Sequence, residues 1–231
     1  MTMTERELLR LHIEAVWNLT LPTLDESASE LVLTQSIPPW SLYLGSFAQE
    51  HVAIWHPETP PGQRPLLQEQ ARKANVIWDA SVGMRREVVF HSPHISPQHQ
   101  LQAGRLARVL TADDTDLINT FEAGSAWYFL NPRTAPCIGV IVDGRLVSIA
   151  HSSRQTPAAC ELGIDTLPEA RRRGYAAAAT TLWTALVQQK GLVPIYSAFA
   201  ENTASLHLAE SVGYVPRIDG VYGPVKAQDK T

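Results

Sequence analysis

The stretch from Leu162 to Ala176, Leu-Gly-Ile-Asp-Thr-Leu-Pro-Glu-Ala-Arg-Arg-Arg-Gly-Tyr-Ala, constrains the fold more than any other part of the chain. Its first residues alternate as a strand does, and Pro168 breaks the run. From Gly174 a helical pattern carries Ala179, Trp183, Leu186 and Val187 on one face as far as Lys190. Gly191 then ends the helix, with a cation in the last turn. Strand and helix are joined by a loop holding Arg171, Arg172, Arg173 and Gly174. The first N–H groups of a helix have no partner within it and carry partial positive charge. Bare backbone at Gly174 and a single methyl at Ala176 let an anion reach several of them together, and the arginines add charge at the mouth. The expectation is a pyrophosphate cradle. A solvated basic loop and a plain turn glycine are the bland readings of the same residues. Nucleic-acid contact is disfavoured because no aromatic residues interleave with the arginines.

Elements on either side complete a pattern. Arg105 to Leu110 reads as a strand, and Thr111-Ala112-Asp113-Asp114 opens a helix reaching about Glu122, its acidic first turn suited to the dipole. Cys137 to Val142 and Arg145 to Ala150 are apolar runs joined by Asp143-Gly144, a strong hairpin signal. A strand follows from Ala159 to Thr166, and after the helix another runs from Val193 to Phe199. Asn202 or Thr203 caps a last helix that ends at Gly213, and Tyr214 begins the final strand. The order is β-α-β-β-β-α-β-α-β. Upstream, Ser92 to Gly104 holds Pro93 and Pro97 and reads as a linker, so a boundary is placed between residues 103 and 104. His91, His94 and His99 beside these prolines do not have the spacing of a metal site. Residues 1–103 show a helical pattern at Leu8, Leu11, Ala15 and Leu19. Strand-like runs follow at Ser41 to Phe47, Val52 to Trp55, Val76 to Trp78 and Glu87 to Phe90, with an irregular or turn-like segment from Pro57 to Pro65. This is a small α+β region with no motif that assigns a function.

With 231 residues, 45% of them hydrophobic, and a net charge of −4, the chain can bury a sizeable core. Its charge implies neither a nucleic-acid nor a membrane partner. No apolar run approaches the roughly 18–20 residues of a membrane span. Met1 to Arg10 is polar with two glutamates, unlike a signal peptide. Cys137 and Cys160 lack metal-ligand spacing. They suit a reduced cytoplasmic chain, with a disulfide between them as the open alternative. Dinucleotide-binding, Walker, zinc-protease and serine-hydrolase motifs are absent from the sequence.

Arg171-x-x-Gly174-x-Ala176 after a strand resembles motif A of the GNAT superfamily of N-acetyltransferases. Asn202-Thr203-Ala204-Ser205 with Leu208, Gly213 and Tyr214 resembles the family's motif B. The resemblance runs from about Arg105 to the C-terminus. It implies an α+β fold: a mixed sheet forming a GNAT-like acyl-CoA N-acyltransferase domain over residues 104–231, preceded by the α+β region 1–103. It further implies acetyl-CoA as co-substrate, no metal, an amine acceptor, and a homodimer as the family-level assembly. Backbone N–H groups of Arg171, Arg172, Arg173, Gly174, Tyr175, Ala176 and Ala177 would hold the pyrophosphate. The strand end at Ile164, Asp165 and Thr166 would pair with the pantetheine arm, and one N–H there would polarise the thioester carbonyl. Asn202 would hydrogen-bond the pantetheine, with Ser205 along the same wall; a simple N-cap is the competing use of Asn202. The amine would attack the thioester directly in a ternary complex. Because a free lysine-type amine has a pKa of about 10.4, a base is needed. Glu161 resembles the family's position for it, ahead of Asp165 and His151. The Tyr that many relatives use to protonate the thiolate is Ala209 here. That leaves His207, Tyr196 or Tyr214 for the task, or a thiolate that departs unaided. Trp127 and Tyr128 are candidates for the acceptor side. A non-catalytic CoA-binding or regulatory module is the rival reading, and a functional N-terminal region is a third.

Overall fold

The computed structural model describes residues 3–25, 27–48, 50–76 and 83–225. In chain order its helices are α1 (Glu5–Trp17), α2 (Arg64–Val76), α3 (Pro97–Ala103), α4 (Thr115–Phe121), α5 (Ala126–Phe129), α6 (Tyr175–Gln189) and α7 (Thr203–Ser211). Its strands are β1 (Glu30–Val32), β2 (Trp40–Phe47), β3 (Glu50–Trp55), β4 (Arg85–His91), β5 (Ala107–Val109), β6 (Ile138–Val142), β7 (Arg145–Gln155), β8 (Ala159–Thr166), β9 (Val193–Phe199) and β10 (Val215–Val225). The chain divides into two compact units. One takes everything up to His91, then Ser197–Leu206, then the stretch from Pro216 on; the other is Ser92–Tyr196 with His207–Val215. The break thus falls at His91/Ser92, where the sequence suggested 103/104, and two C-terminal stretches return to the first unit.

In the first unit the strands lie in the order β1-β3-β2-β10-β4. β2 is antiparallel to both β3 and β10, while β1 runs parallel to β3. Thr4 caps α1, its hydroxyl accepting from the Glu7 N–H at 3.2 Å. Leu8, Leu9, Leu11, Ile13 and Ala15 form the buried stripe of α1. It lies so close to β2 that a Cβ on Gly45 would sit 2.9 Å from the Leu9 methyls. Buried among these elements, Glu87 Oε1 is 2.7 Å from His12 Nε2 and accepts from the Tyr43 hydroxyl at 2.8 Å. The segment from Pro57 to Pro65, expected to be irregular or turn-like, holds a 3-10 turn at Pro61–Gln63 and leads straight into α2, with Pro65 in the first helical turn. A proline there removes only an N–H that the helix could not use. The strand expected at Val76 to Trp78 is not formed at Val76, which ends α2; Ile77 and Trp78 lie outside the described residues.

In the second unit the order is β9-β8-β7-β6-β5. All neighbours are antiparallel except β8 and β9, which run parallel. Asp143 and Gly144 turn the β6–β7 hairpin at φ 49° and 74°. Positive φ at both central residues marks a type I′ turn, whose twist matches that of the strands. Helix α6 covers the sheet face that carries Ser152: the buried Trp183 donates from Nε1 to Ser152 Oγ at 3.2 Å. On the opposite face, Ile118 of α4 and Phe129 of α5 pack with Leu110, Cys137, Leu146 and Ile149. The stretch expected to be a linker forms α3. Ser96 caps it through the His99 N–H, and Pro97 opens it. Gln189 of α6 donates to Gln100 at 3.0 Å, and Gln188 donates to the Pro93 carbonyl at 2.7 Å, so this segment is docked on α6. Among the described residues no helix is long and apolar enough to cross a membrane.

Candidate active site

Strand β8 is paired along its whole length on one side only. Against β7 the register runs from Gln155–Cys160 to Ser148–Thr166, with a bulge at Ser153. Against β9 it runs from Ala159–Val193 to Glu161–Ile195 and ends there. The Leu167 N–H donates to the Val147 carbonyl. Alternation along an antiparallel ladder then turns the backbone of Asp165 and Gly163 toward β7 and that of Ile164 and Thr166 away from it. Of the three residues expected to offer backbone to a ligand, Ile164 and Thr166 therefore face the open edge. Asp165 instead presents an exposed side chain. The Thr166 carbonyl takes a 3.3 Å hydrogen bond from Arg171 Nε, tying the basic loop back to the strand end.

The loop leaves a row of backbone donors unpaired. Gly174, the N-cap of α6, sits at φ 80° and ψ 0°, and Arg172 also has positive φ, 59°. The first backbone bond of α6 runs from the Ala178 N–H to the Gly174 carbonyl. Among the described residues the N–H groups from Arg172 to Ala177 find no acceptor. A Cβ on Gly174 would meet nothing within 4 Å, so the space beside this glycine is open. Arg171, Arg172 and Arg173 are exposed around it. A bound diphosphate would satisfy donors that the fold leaves unpaired.

Period two along β8 puts Glu161, Gly163 and Asp165 on one face. His151 lies across from Gly163 on that same face. Its ring rests on the glycine: a Cβ there would run into His151 Cε1 and lie 2.7 Å from Nε2. The imidazole is 5% exposed, edge-on to Tyr128 and Phe129, and burial lowers its pKa to about 4, so it is neutral at pH 7. Nε2 is 3.1 Å from the Tyr128 hydroxyl. Burial also raises the Tyr128 pKa; Arg154 pulls against this, and Asp165, Glu122 and Glu161 reinforce it. Glu161 is buried and holds Arg154 through Oε2 at 2.6 Å, with the Ser153 hydroxyl at 3.3 Å from the same oxygen. The second unit thus gathers Glu161, His151, Asp165, Tyr128 and the loop 171–177. The Tyr128–His151 pair is the part that sequence reading did not join, since only the docking of α5 on β7 brings residues 23 positions apart together.

The remaining candidates fall elsewhere. Asn202 and Ser205 belong to the first unit, where Asn202 Oδ1 accepts from the Ser205 N–H at 3.1 Å and so caps α7. Tyr214 is buried, its hydroxyl 2.7 Å from Thr184 Oγ1, and Tyr196 packs edge-on to it. Both are core residues, and burial raises the Tyr214 pKa further above its ordinary value. Ala209 is fully buried, and His207 is exposed on α7. Cys137 and Cys160 are free and buried; burial pushes the Cys137 thiol up to about 12. Among the described residues no group of three His, Cys, Asp or Glu side chains is placed to hold a metal.

Residues 114–219 match the family model of the GNAT acetyltransferases. No curated protein matches the sequence significantly. Solved structures with similar folds include a GNAT-family protein from Novosphingobium aromaticivorans, with 23% identity over 60% of this chain and a TM-score of 0.46. The chain spans 63% of that protein. A GCN5-related N-acetyltransferase-like protein from Streptococcus suis shares 15% identity over 80% of this chain and 84% of its own, with a TM-score of 0.47. An aminoglycoside N-acetyltransferase solved in complex with CoA shares 18% over 47% of this chain and 90% of its own, with a TM-score of 0.39.

Proposed function

We propose, from the match of residues 114–219 to the GNAT acetyltransferase family model, that the protein moves the acetyl group of acetyl-CoA to a primary amine in a ternary complex. The observation that carries this reading is the row of unpaired N–H groups from Arg172 to Ala177 around an open space at Gly174. These amides and the flanking arginines hold the pyrophosphate. Ile164 and Thr166, facing away from β7 where the β9 ladder has ended, offer N–H groups to the pantetheine and the thioester carbonyl. Binding both reactants in register replaces a bimolecular encounter with a positioned one, so no enzyme nucleophile is required. Glu161 is the base in this reading: its carboxylate shares the β8 face with Gly163 and Asp165, and Arg154 fixes its orientation. The buried free thiols suit a reducing cytoplasm.

The test is thiol release from acetyl-CoA with a panel of amines, including small amines, amino acids, aminoglycosides and peptides with free N-termini. Release that depends on one class of amine supports the proposal. Tight CoA binding with no amine-dependent release would favour the second reading, a CoA-binding module without chemistry. Ala209, with no hydroxyl to offer, is the observation on that side.

A further inference from the structure

The buried imidazole of His151 has one nitrogen accounted for and one not. Nε2 meets the Tyr128 hydroxyl at 3.1 Å; Nδ1 is sealed from solvent and finds no hydrogen-bond partner among the described residues. A neutral imidazole carries one proton, and its place decides what is left unsatisfied. With the proton on Nδ1, a buried N–H donor is orphaned, an arrangement folded proteins rarely keep. With the proton on Nε2, only a lone pair lacks a partner, and Nε2–H donates to the Tyr128 oxygen. The second arrangement costs less, and it has a consequence for the phenol. A hydroxyl has two acceptor lone pairs and one donor. If His151 fills one lone pair, the other lone pair and the O–H remain for whatever stands in front of Tyr128.

Through His151 the phenol is tied to the face of β8. The ring of His151 rests on Gly163, the residue before Ile164, and charges from three directions are felt at the phenol: Arg154 on β7, Glu161 and Asp165 on β8, and Glu122 after α4. Tyr128 is partly exposed, unlike Tyr196 and Tyr214, so a reactant can reach it.

Resting on the acetyl-transfer reading, we propose that the Tyr128 hydroxyl, its oxygen held by Nε2–H of His151, relays the proton from the attacking amine to the departing thiolate. The free amine attacks the thioester carbonyl; the C–N bond forms and the C–S bond breaks, its electron pair leaving on sulfur. The amine nitrogen, now acidic, passes its proton to the open lone pair of Tyr128 as the Tyr128 O–H passes its own to sulfur. Amide and thiol result, and tyrosine and histidine end as they began. One hydroxyl thus does the work for which Ala209 has no side chain. His151 is a positioning residue, and Gly163 is bare because the ring occupies the space of its side chain.

The experiment compares the wild-type protein with Tyr128→Phe, His151→Phe and His151→Gln, using acetyl-CoA and the best amine of the panel. Tyr128→Phe is expected to lower kcat by about 10²–10³-fold, within the range of general acid–base effects, with CoA affinity by calorimetry unchanged. In mixtures of H2O and D2O the wild type gives a bowed rate plot, two protons moving together, and Tyr128→Phe loses the bow. His151→Phe lowers kcat by about tenfold, and His151→Gln, which keeps an N–H donor, restores most of it. A Tyr128→Phe enzyme within threefold of wild type would overturn the relay and leave acetyl transfer standing. A wild type that releases no thiol with any amine would overturn both. Nitrogen NMR of His151 in the wild type is independent of turnover and of how well the variants fold: a proton on Nδ1 overturns the proposal, and a proton on Nε2 supports it.

Discussion

Gly174 and Gly191 stand at opposite ends of α6 and make a matched pair. Each has positive φ, 80° and 74°, and at each an added Cβ would meet nothing within 4 Å. Alanine at either position therefore brings no clash, only the cost of holding an L side chain in the left-handed region, about 1–2 kcal/mol. For a chain of this size that is a fall in Tm of roughly 2–8 °C, equal at the two sites. Binding should separate them. At Gly174 the methyl is added among the residues whose N–H groups, Arg172 to Ala177, are unpaired, and at Gly191 it is added past the far end of the helix. Losing one charge-assisted hydrogen bond to a phosphate costs about 1.5–3 kcal/mol, which is roughly a 10- to 150-fold loss of affinity. Calorimetric titration with CoA, alongside thermal melts of the two variants, measures both effects. Gly174→Ala should bind at least tenfold more weakly than Gly191→Ala at the same Tm. Equal CoA affinity in the two variants would refute the cradle, because the backbone cost is common to both.

Glu161→Gln should lower turnover at neutral pH and matter less at high pH, where the amine is already free; an equal deficit across the pH range would remove Glu161 as the base. His151 has its folded pKa at about 4, below the ordinary 6.5, so its contribution to stability is full above pH 6.5 and is lost as pH falls toward 4. The loss amounts to about 3 kcal/mol, and denaturant titrations across this range should show a steeper slope in the wild type than in His151→Phe. Tyr43→Phe deletes a buried donor to Glu87 and should cost about 1–3 kcal/mol in the same assay. Cys137 and Cys160, buried with raised pKa, should resist thiol reagents in the native protein and react at the rate of unfolding.

The parts that could be read from the sequence are those whose signals are local. The strand ending at Thr166, the arginine run, Gly174 and the alanines after it lie within one short stretch, and β8 and α6 appear where they were expected. Asp143-Gly144 names its own turn, since few other pairs accept positive φ twice. Two prolines misled in the same way: Pro65 and Pro97 suggested breaks and instead sit in the first turns of α2 and α3, where the missing N–H is harmless. Nothing local announces the Tyr128–His151 contact or explains Gly163, because both depend on which helix lies on which strand. The two-unit division was hidden for a similar reason. The sequence from Val193 onward reads as an ordinary strand–helix–strand finish, and only tertiary contacts assign its pieces to different bodies.

That interleaving has a practical outcome for anyone cutting the gene. Six residues of β10, between Asp219 and Val225, pair with β2 in the first unit. A fragment stopping at residue 103 would leave Trp40 to Ser46 as a bare hydrophobic edge, ready to zip onto another copy. The first unit's sheet therefore closes only when β10, more than a hundred residues downstream, pairs with β2. Insertions are better tolerated inside exposed turns such as Asp143-Gly144 than in the proline-rich segment, which is docked on α6.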